Sequence, residues 1–327
     1  REALDSIIDQ TYKNWELIII DDGSTDKSPV IMDDLATKDR RITILRNDQN
    51  IGVQRCLNQG LQVSTGTYIA RMDADDISLP NRLEKQLAAF YRDDCLVMVG
   101  TNCTIVSDDL SFIAPTLLPL DDWCIRCLYL VMNPFVHSSV MLKGTIIRDR
   151  NLRYDTSLQA AIDYELWSRI LDYGTVCNLP DQLVLLRKHD KSLSEQSSTE
   201  QIDCFLQVRQ TYCQHFIGRS HASDPNVKKD NTDLLGSQTN KVSPLNSIQG
   251  CKSSIILMQT LKRRFPDKKM LSAEVYIKFR SVLVGIKFFK CKDAWCLLRT
   301  VIIPINIMFT HIKYYSKKIN GSLMIVK

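Results

Sequence analysis

The sequence predicts an α/β fold, in which a mostly parallel central sheet is flanked by helices and followed by a basic helical extension. Strand-length apolar runs alternate with amphipathic helical stripes over the first third of the chain. Acidic residues directly follow two of these runs, and the charge balance changes sign towards the C-terminus. With 44% hydrophobic and 24% charged residues, the 327-residue chain has a globular composition and enough apolar side chains for a large core.

The predicted elements follow one another in a regular order. After a helical stripe at the start of the chain, strands are expected over 15–20, 42–45, 67–72 and 96–100, and helices over 29–36, 53–63 and 81–91. Because successive strands are separated by helices, we expect parallel pairing through helical crossovers. Further on, the pattern predicts a hairpin over 104–117, helices over 121–130 and 160–172, and a last strand over 183–186.

Composition divides the chain into three parts. Residues 1–194 carry the α/β pattern, 195–250 are expected to form a helix and a polar linker, and 251–327 form the basic, helical extension. From Thr260 to the end there are 15 Lys and Arg against 3 Asp and Glu, whereas the remainder carries 27 against 34. The basic residues of the extension alternate with long aliphatic ones, which suits a membrane surface better than nucleic acid. A helical cap folded on the core is the alternative.

The cysteine pattern bears on the cellular compartment. The eleven cysteines are scattered, and Cys124 and Cys127 form a single C-x-x-C pair with no second pair at zinc spacing. No secretory leader pattern is visible at the start of the sequence. We therefore expect reduced thiols in a cytoplasmic protein, which would be peripheral at the inner face of the membrane if the extension binds lipid.

The stretch 68–80 carries the strongest chemical signal. An apolar, strand-like run leads into three carboxylates within four residues, Asp73, Asp75 and Asp76. Like charges this close raise one another's pKa unless a cation neutralises them. Mg²⁺ or Mn²⁺ binds through one or two carboxylates together with substrate phosphates, and ligands of α/β sheets lie beyond the carboxyl ends of strands. Asp73 and Asp75 are thus predicted to form a metal–diphosphate site; a solvated acidic turn is the alternative.

A second acidic turn, at residues 21–26, follows the first predicted strand. A carboxylate there can accept a hydrogen bond from a base ring N–H or a ribose hydroxyl, and Gly23 allows close approach of the backbone. The alternative is a tight turn in which Asp26 caps the next helix. Asn50-x-Gly52, ahead of a helix, is expected to place further polar groups near the same crevice.

Together, the ordered motifs DDGSTD, N-x-G, A-R-M-D-A-D-D and D-Y-E-L-W resemble those of the inverting family-2 glycosyltransferases of the GT-A fold, which is Rossmann-like. The resemblance covers residues 2–194. It implies a nucleotide-diphosphate sugar donor, with a UDP-sugar favoured, and a Mn²⁺ or Mg²⁺ cofactor. The family's usual first strand has no counterpart at the start of this chain.

The resemblance also implies roles for residues of the donor site. Asp22 matches the aspartate that recognises the base, with Asp21 beside it. In the DxD motif, Asp75 is the more direct metal ligand, and Asp73 lies nearer the ribose while sharing the metal site. Arg71, just before this motif, is expected to contact the nucleotide.

Three further residues are candidates outside those two turns. Asp163 matches the family's catalytic base, although Ile162 stands where glutamate is common. His137 resembles part of a segment that faces the donor, or else is a structural histidine. His189, after Arg187 and Lys188, would bind diphosphate or metal, or else belong to a solvated basic turn.

These expectations describe a metal-dependent inverting glycosyltransferase that moves a sugar from a nucleotide-diphosphate donor to a glycan or lipid-linked acceptor in surface polysaccharide synthesis. Inversion needs a general base on the face opposite the leaving group, the role expected for Asp163, and a cation that stabilises the departing diphosphate. The alternative is a non-catalytic glycan- or membrane-binding protein of the same fold.

Overall fold

The computed structural model describes residues 1–129, 132–188, 204–212 and 322–326, the last of these through their backbone. These residues belong to two compact units. The larger includes 1–122, 134–188, 204–205 and 322–326, and the smaller includes 123–129, 132–133 and 206–212. The expected domain boundaries at 194 and 250 lie outside the described residues, as does most of the predicted extension.

Helices and strands alternate along the described chain. The strands are β1 (Trp15–Asp21), β2 (Ile42–Arg46), β3 (Tyr68–Met72), β4 (Ile77–Ser78), β5 (Leu96–Val106), β6 (Phe112–Pro115), β7 (Met141–Lys143), β8 (Thr175–Arg187) and β9 (Ser322–Val326). The helices are α1 (Glu2–Ile8), α2 (Ser28–Lys38), α3 (Val53–Val63), α4 (Arg82–Phe90), α5 (Asp122–Tyr129), α6 (Gly144–Asp149) and α7 (Ile162–Ile170), with a 3₁₀ turn η1 (His137–Ser139) and a helical stretch at 204–212.

The strands of the described residues form one mixed sheet, in the order β2-β1-β9-β3-β7-β5-β8-β4, with β6 paired to β5. The predicted α/β class is therefore confirmed, but the sheet is not mostly parallel. Only β1–β2 and β5–β8 are parallel pairs among the described strands. Both pairs are joined across helices, whereas β6 follows β5 through the predicted hairpin turn, which allows only antiparallel pairing.

A short strand from the far end of the sequence occupies the sheet position between β1 and β3. β9 runs antiparallel to both, and Leu323 pairs with Ile18 on one side and with Arg71 on the other. It therefore satisfies the backbone hydrogen bonds of the two strands that precede the acidic turns. These five residues form a strand, whereas the sequence predicted a helical extension over 251–327.

The main core packs α1, α2 and α4 against the sheet. It includes Ile7 of α1, Trp15 of β1, and Leu87 and Phe90 of α4, all of them nearly inaccessible to solvent. The apolar positions recur every three or four residues along the helices and on the strands that face them, as the sequence pattern predicted. Among the described residues, no helix is both long and apolar enough to cross a membrane. Cys56, Cys95, Cys103, Cys124, Cys177 and Cys204 are free cysteines.

The contribution of this core to stability is measurable with two leucines. Leu87 is 2% exposed and Leu117 is 51% exposed. We expect Leu87→Ala to lower the free energy of unfolding by about 2–5 kcal/mol, because it removes buried methyl groups and leaves a cavity. Leu117→Ala, the matched control, should change it by less than about 0.5 kcal/mol. Denaturant unfolding measures both, and equal losses would show that the α4 packing described above is wrong.

Candidate active site

The acidic turn after β3 is anchored by a buried arginine. Arg71, the fourth residue of β3 and 2% exposed, forms a bidentate ion pair with both carboxylate oxygens of Asp73. Burial lowers the pKa of Arg71, but the adjacent Asp73 carboxylate outweighs burial and raises it. A planar guanidinium matches a carboxylate in this geometry, so the pair fixes the plane of the Asp73 side chain.

A serine of η1 adds three hydrogen bonds to the same pair. The hydroxyl oxygen of Ser138 accepts hydrogen bonds from Arg71 Nη1 and from the Asp73 backbone N–H, both at 3.1 Å. The hydroxyl donates to Asp73 Oδ2 at 2.8 Å. Ser138 is 1% exposed, so these bonds form away from bulk water. The end of β3 is thereby tied to η1, which precedes the neighbouring strand β7.

The other two aspartates of the turn are bound by Arg187 at the end of β8. The Arg187 backbone N–H donates to Asp76 Oδ1, and Arg187 Nε donates to the main-chain oxygen of Asp75, each at 3.0 Å. Asp76 is buried, and its burial together with the charges of Asp75 and Asp73 raises its pKa well above the ordinary value. The crowding of like charges that the sequence predicted is therefore present in the structure.

Beside η1 lies a small aromatic cluster. His137 Nε2 and the Tyr154 hydroxyl are 2.9 Å apart, and the Trp167 ring meets that of His137 edge-on with centroids separated by 5.8 Å. Burial and the positive charge of Arg71 lower the pKa of His137 well below its ordinary value, so the ring is neutral at pH 7. Trp167 is completely buried, as expected for a core residue.

Tyr154 is also clamped through its backbone to α3. Asn58 donates from Nδ2 to the Tyr154 carbonyl at 2.9 Å, and its Oδ1 accepts from the Tyr154 N–H at 2.8 Å. This pair of bonds explains the asparagine in the N-Q-G motif of α3. No sequence motif indicated Tyr154, because only the tertiary structure brings it to His137.

Asp163 is the second residue of α7 and is 6% exposed. Its Oδ1 accepts the Tyr164 backbone N–H at 2.8 Å, and the preceding Ala161 adopts a left-handed conformation, with φ of 55°, where the helix starts. The Tyr154 phenol lies near both Asp163 and the acidic turn after β3. Burial raises the pKa of this phenol, the positive charge of Arg71 lowers it, and the negative charges of Asp163 and Asp73 raise it further. Tyr154 is therefore within electrostatic range of both Asp163 and Asp73.

The acidic turn after β1 forms a unit with the loop before α3. Asp22 accepts hydrogen bonds from the backbone N–H groups of Ile51 and Gly52, at 2.8 and 3.0 Å, and from Asn47 Nδ2 at 3.1 Å. Burial raises the pKa of Asp22, but these hydrogen bonds and the nearby Cys56 thiol together outweigh burial and lower it. The carboxylate therefore organises the N-x-G loop, and its role in recognising a base stays a prediction.

Two neighbours complete this turn. Asp21 Oδ1 accepts the Ser24 backbone N–H at 2.9 Å, which closes the turn on itself. Gly23 has φ of +75°, and a Cβ there would come within 3.0 Å of the Gln49 carbonyl carbon, so glycine is required by both conformation and contact.

The carboxylates of the acidic turn after β3 fit a hard divalent cation whose other ligands come from a bound substrate. The described residues contain no group of three or more His, Cys, Asp or Glu side chains that could hold a metal ion. Mg²⁺ and Mn²⁺ do not need such a group when one or two carboxylates act together with phosphate oxygens. Asp73 is paired with Arg71, and Asp75, the second aspartate of the motif, is the other candidate ligand. His189 lies outside the described residues.

Comparisons with known proteins bear on the family and the fold of the chain. The profile of glycosyl transferase family 2 matches residues 1–126. A glycosyltransferase of Haemophilus influenzae is 30% identical over 226 residues, which cover 67% of this chain and 70% of that protein. The UDP-Glc:alpha-D-GlcNAc-diphosphoundecaprenol beta-1,3-glucosyltransferase WfgD of Escherichia coli is 31% identical over 166 residues, covering 46% of this chain and 65% of its own.

A solved structure shows the same fold. S. aureus TarS in complex with UDP superposes with a TM-score of 0.54 at 14% sequence identity, covering 88% of this chain and 83% of the TarS chain. At this identity the likeness concerns the fold, which is that predicted from the motifs.

The neutral His137 makes a pH-dependent contribution to stability. The pKa of His137 is lower in the folded state than in the unfolded chain. Below about pH 6.5, the folded state therefore binds fewer protons than the unfolded chain does. Stability is then complete above that pH and declines below it, by at most about 1.4 kcal/mol per pH unit. We expect His137→Gln to show a shallower decline between pH 6.5 and 5 than the parent chain in denaturant unfolding. Parallel declines would mean that His137 is not held neutral.

Proposed function

The chain belongs to glycosyl transferase family 2 and is a glycosyltransferase, and we propose that it transfers a sugar, with inversion, from a nucleotide-diphosphate donor to a glycan or lipid-linked acceptor. The observation that supports this most strongly is a chain of contacts between the acidic turn after β3 and the helix that carries Asp163: Ser138 donates to Asp73 Oδ2 at 2.8 Å, and the adjacent His137 ring meets Trp167 edge-on, one helical turn after Asp163. An inverting transfer requires these two functions, a base and a diphosphate site, next to one another.

We assign different ligands to the two aspartates of the DxD motif, starting from the hydrogen bonds that Asp73 already accepts. An ionised carboxylate has about four acceptor positions. In Asp73, three of them are taken by Arg71 Nη1, Arg71 Nη2 and Ser138, so among the described contacts one position remains, on Oδ1. One acceptor suits a ribose hydroxyl. Asp75 would hold Mg²⁺ or Mn²⁺, and a cation bound there with the donor would stabilise the negative charge of the leaving diphosphate.

The acceptor side is assigned to Asp163. Its carboxylate takes the proton of the acceptor hydroxyl while that oxygen forms a bond to the anomeric carbon. The bond between this carbon and the diphosphate breaks on the opposite face, so the configuration inverts and a nucleoside diphosphate leaves. The 6% exposure of Asp163 limits hydration of the base, and the neutral His137–Tyr154 pair packs against Trp167 of the same helix without adding charge.

The relatives suggest the substrate classes. WfgD is named for UDP-Glc as donor and for an acceptor sugar linked to diphosphoundecaprenol, and TarS was crystallised with UDP. By analogy we propose a UDP-sugar donor and a lipid-linked acceptor in surface polysaccharide synthesis. The reaction would take place at the inner face of the membrane, with the basic extension from residue 251 binding lipid.

The base assignment is tested by substitution. Asp163→Asn should reduce turnover by about 10²–10⁴-fold, because the amide cannot take the acceptor proton, while UDP affinity stays unchanged. Glu165→Gln is the matched control: it removes a carboxylate from the same first turn, where Glu165 pairs with Arg169 at 2.7 Å. Initial rates with purified lipid-linked acceptor measure both variants, and an Asp163→Asn enzyme that keeps most of its rate means the base lies elsewhere.

The metal assignment is tested by binding. UDP at a hundredfold excess over its dissociation constant should add about 2.7 kcal/mol to stability and raise the melting temperature with Mn²⁺, but much less with EDTA. Asp75→Asn should remove the difference between the two conditions. Asp149→Asn, which changes an exposed carboxylate at the end of α6, serves as control. A Mn²⁺-dependent shift that survives in Asp75→Asn would exclude Asp75 as the metal ligand.

A further inference from the structure

We propose that Ser138 is a positioning residue of this glycosyltransferase, whose hydroxyl sets the orientation of the Asp73 carboxylate and thereby the single acceptor position that Asp73 presents to the nucleotide. The inference rests on the proposed function for the identity of the ligand. The positioning itself rests on contacts between Ser138, Arg71 and Asp73.

The hydrogen-bonding capacity of Ser138 is completely used. A hydroxyl group donates one hydrogen bond and accepts two. Here it accepts from Arg71 Nη1 and from the Asp73 backbone N–H, at 3.1 Å each, and donates to Asp73 Oδ2 at 2.8 Å. Both the main chain and the side chain of Asp73 are therefore bound to the same oxygen. A saturated, buried hydroxyl of this kind has one favourable orientation.

The ion pair with Arg71 alone would not determine the orientation of Asp73. A guanidinium can meet a carboxylate through different pairs of N–H groups, so the carboxylate can shift along it while remaining paired. Ser138 removes this freedom, because its bond to Oδ2 and its bond from the Asp73 N–H require one side-chain rotamer. As a result Oδ1, and not Oδ2, keeps the open acceptor position.

Ser138 also acts on a second carboxylate of the turn. Its hydroxyl opposes the rise in the pKa of the buried Asp76, whose Oδ1 accepts the Arg187 backbone N–H. Since the hydroxyl carries a single proton, it can donate to Asp73 or to Asp76 but not to both. The hydrogen bond in the structure, from Ser138 to Asp73 Oδ2 at 2.8 Å, directs this proton to Asp73.

The element that carries Ser138 is itself rigidly held. The Arg71 backbone N–H donates to Val140 at 3.0 Å, and the Ser139 N–H donates to Val136 at 2.9 Å across the 3₁₀ turn. On the other side of Ser138, His137 bonds to the Tyr154 hydroxyl. The 3₁₀ turn η1 therefore contacts both the Asp73 carboxylate and the aromatic cluster of His137, Tyr154 and Trp167. A displacement at Ser138 would change both sets of contacts.

The adjacent serine provides a matched control. Ser139 is completely buried, like Ser138, but its hydroxyl donates to the Val136 carbonyl at 2.9 Å and accepts the Thr101 N–H of β5 at 3.2 Å. Ser139→Ala thus removes the same group from the same turn, at the same depth, without removing a contact to the acidic turn. A purely structural role of the two hydroxyls would give the two alanine variants the same behaviour.

Hydrogen exchange in the absence of any ligand gives the first measurement. We expect Ser138→Ala to speed exchange of the Asp73 amide, followed by NMR on the full chain, about tenfold relative to Ser139→Ala, because this N–H loses its acceptor. Equal exchange rates at Asp73 in the two variants would overturn the proposal. This readout does not depend on whether the protein binds a nucleotide.

Calorimetric titration with UDP in the presence of Mn²⁺ gives the second measurement. Ser138→Ala should raise the dissociation constant about tenfold, the usual effect of losing a hydrogen bond to a charged group, while Ser139→Ala stays within twofold of the parent chain. Faster exchange with unchanged UDP affinity would also overturn the positioning role. If the parent chain binds neither UDP nor GDP, the proposed function fails, and the exchange data alone decide whether Ser138 orients Asp73.

Discussion

The site depends on one ion pair, between the buried Arg71 and the partly exposed Asp73. Removing a charge from water is expensive, so a buried guanidinium requires an opposite charge and hydrogen-bond acceptors close by. Ser138 binds both partners, through Arg71 Nη1 and Asp73 Oδ2, whereas Arg71 Nε has no hydrogen-bond partner among the described residues. The sheet order β3-β7 makes this position of Ser138 possible, since η1 directly precedes β7. Loss of the Asp73 carboxylate would leave Arg71 buried without its counter-ion, so the pair also constrains the surrounding backbone.

A second buried cation lies beneath the same turn. Arg82, completely buried in α4, donates from Nη2 to the Arg71 carbonyl at 2.8 Å and from Nε to Gln86 at 3.0 Å. Burial lowers its pKa to about 10, and nearby Arg71 adds to this effect, whereas Cys103 and Asp76 oppose it. Two arginines therefore offset part of the charge of three aspartates, which makes the turn tolerable before any donor or metal is bound.

Much of the fold could be predicted from sequence because the pattern repeats locally. α3 begins and ends at the predicted residues, and the turn between β5 and β6 falls within the predicted hairpin over 104–117. The short elements β4, β7 and α6 were missed, since two to six residues show too little periodicity to be recognised. The pairing directions were also mispredicted, because they depend on which distant strands become neighbours.

The sequence by itself determined the family, the α/β class and the carboxylates that can do chemistry, because motifs such as A-R-M-D-A-D-D place those groups by local spacing. Only the tertiary structure decided what surrounds them. Ser138 lies 65 residues from Asp73 along the chain, Tyr154 lies 96 from Asn58, and Arg187 lies 111 from Asp76. Hydrogen bonds over such separations form only when the sheet has set the order of its strands, and no local pattern encodes that order.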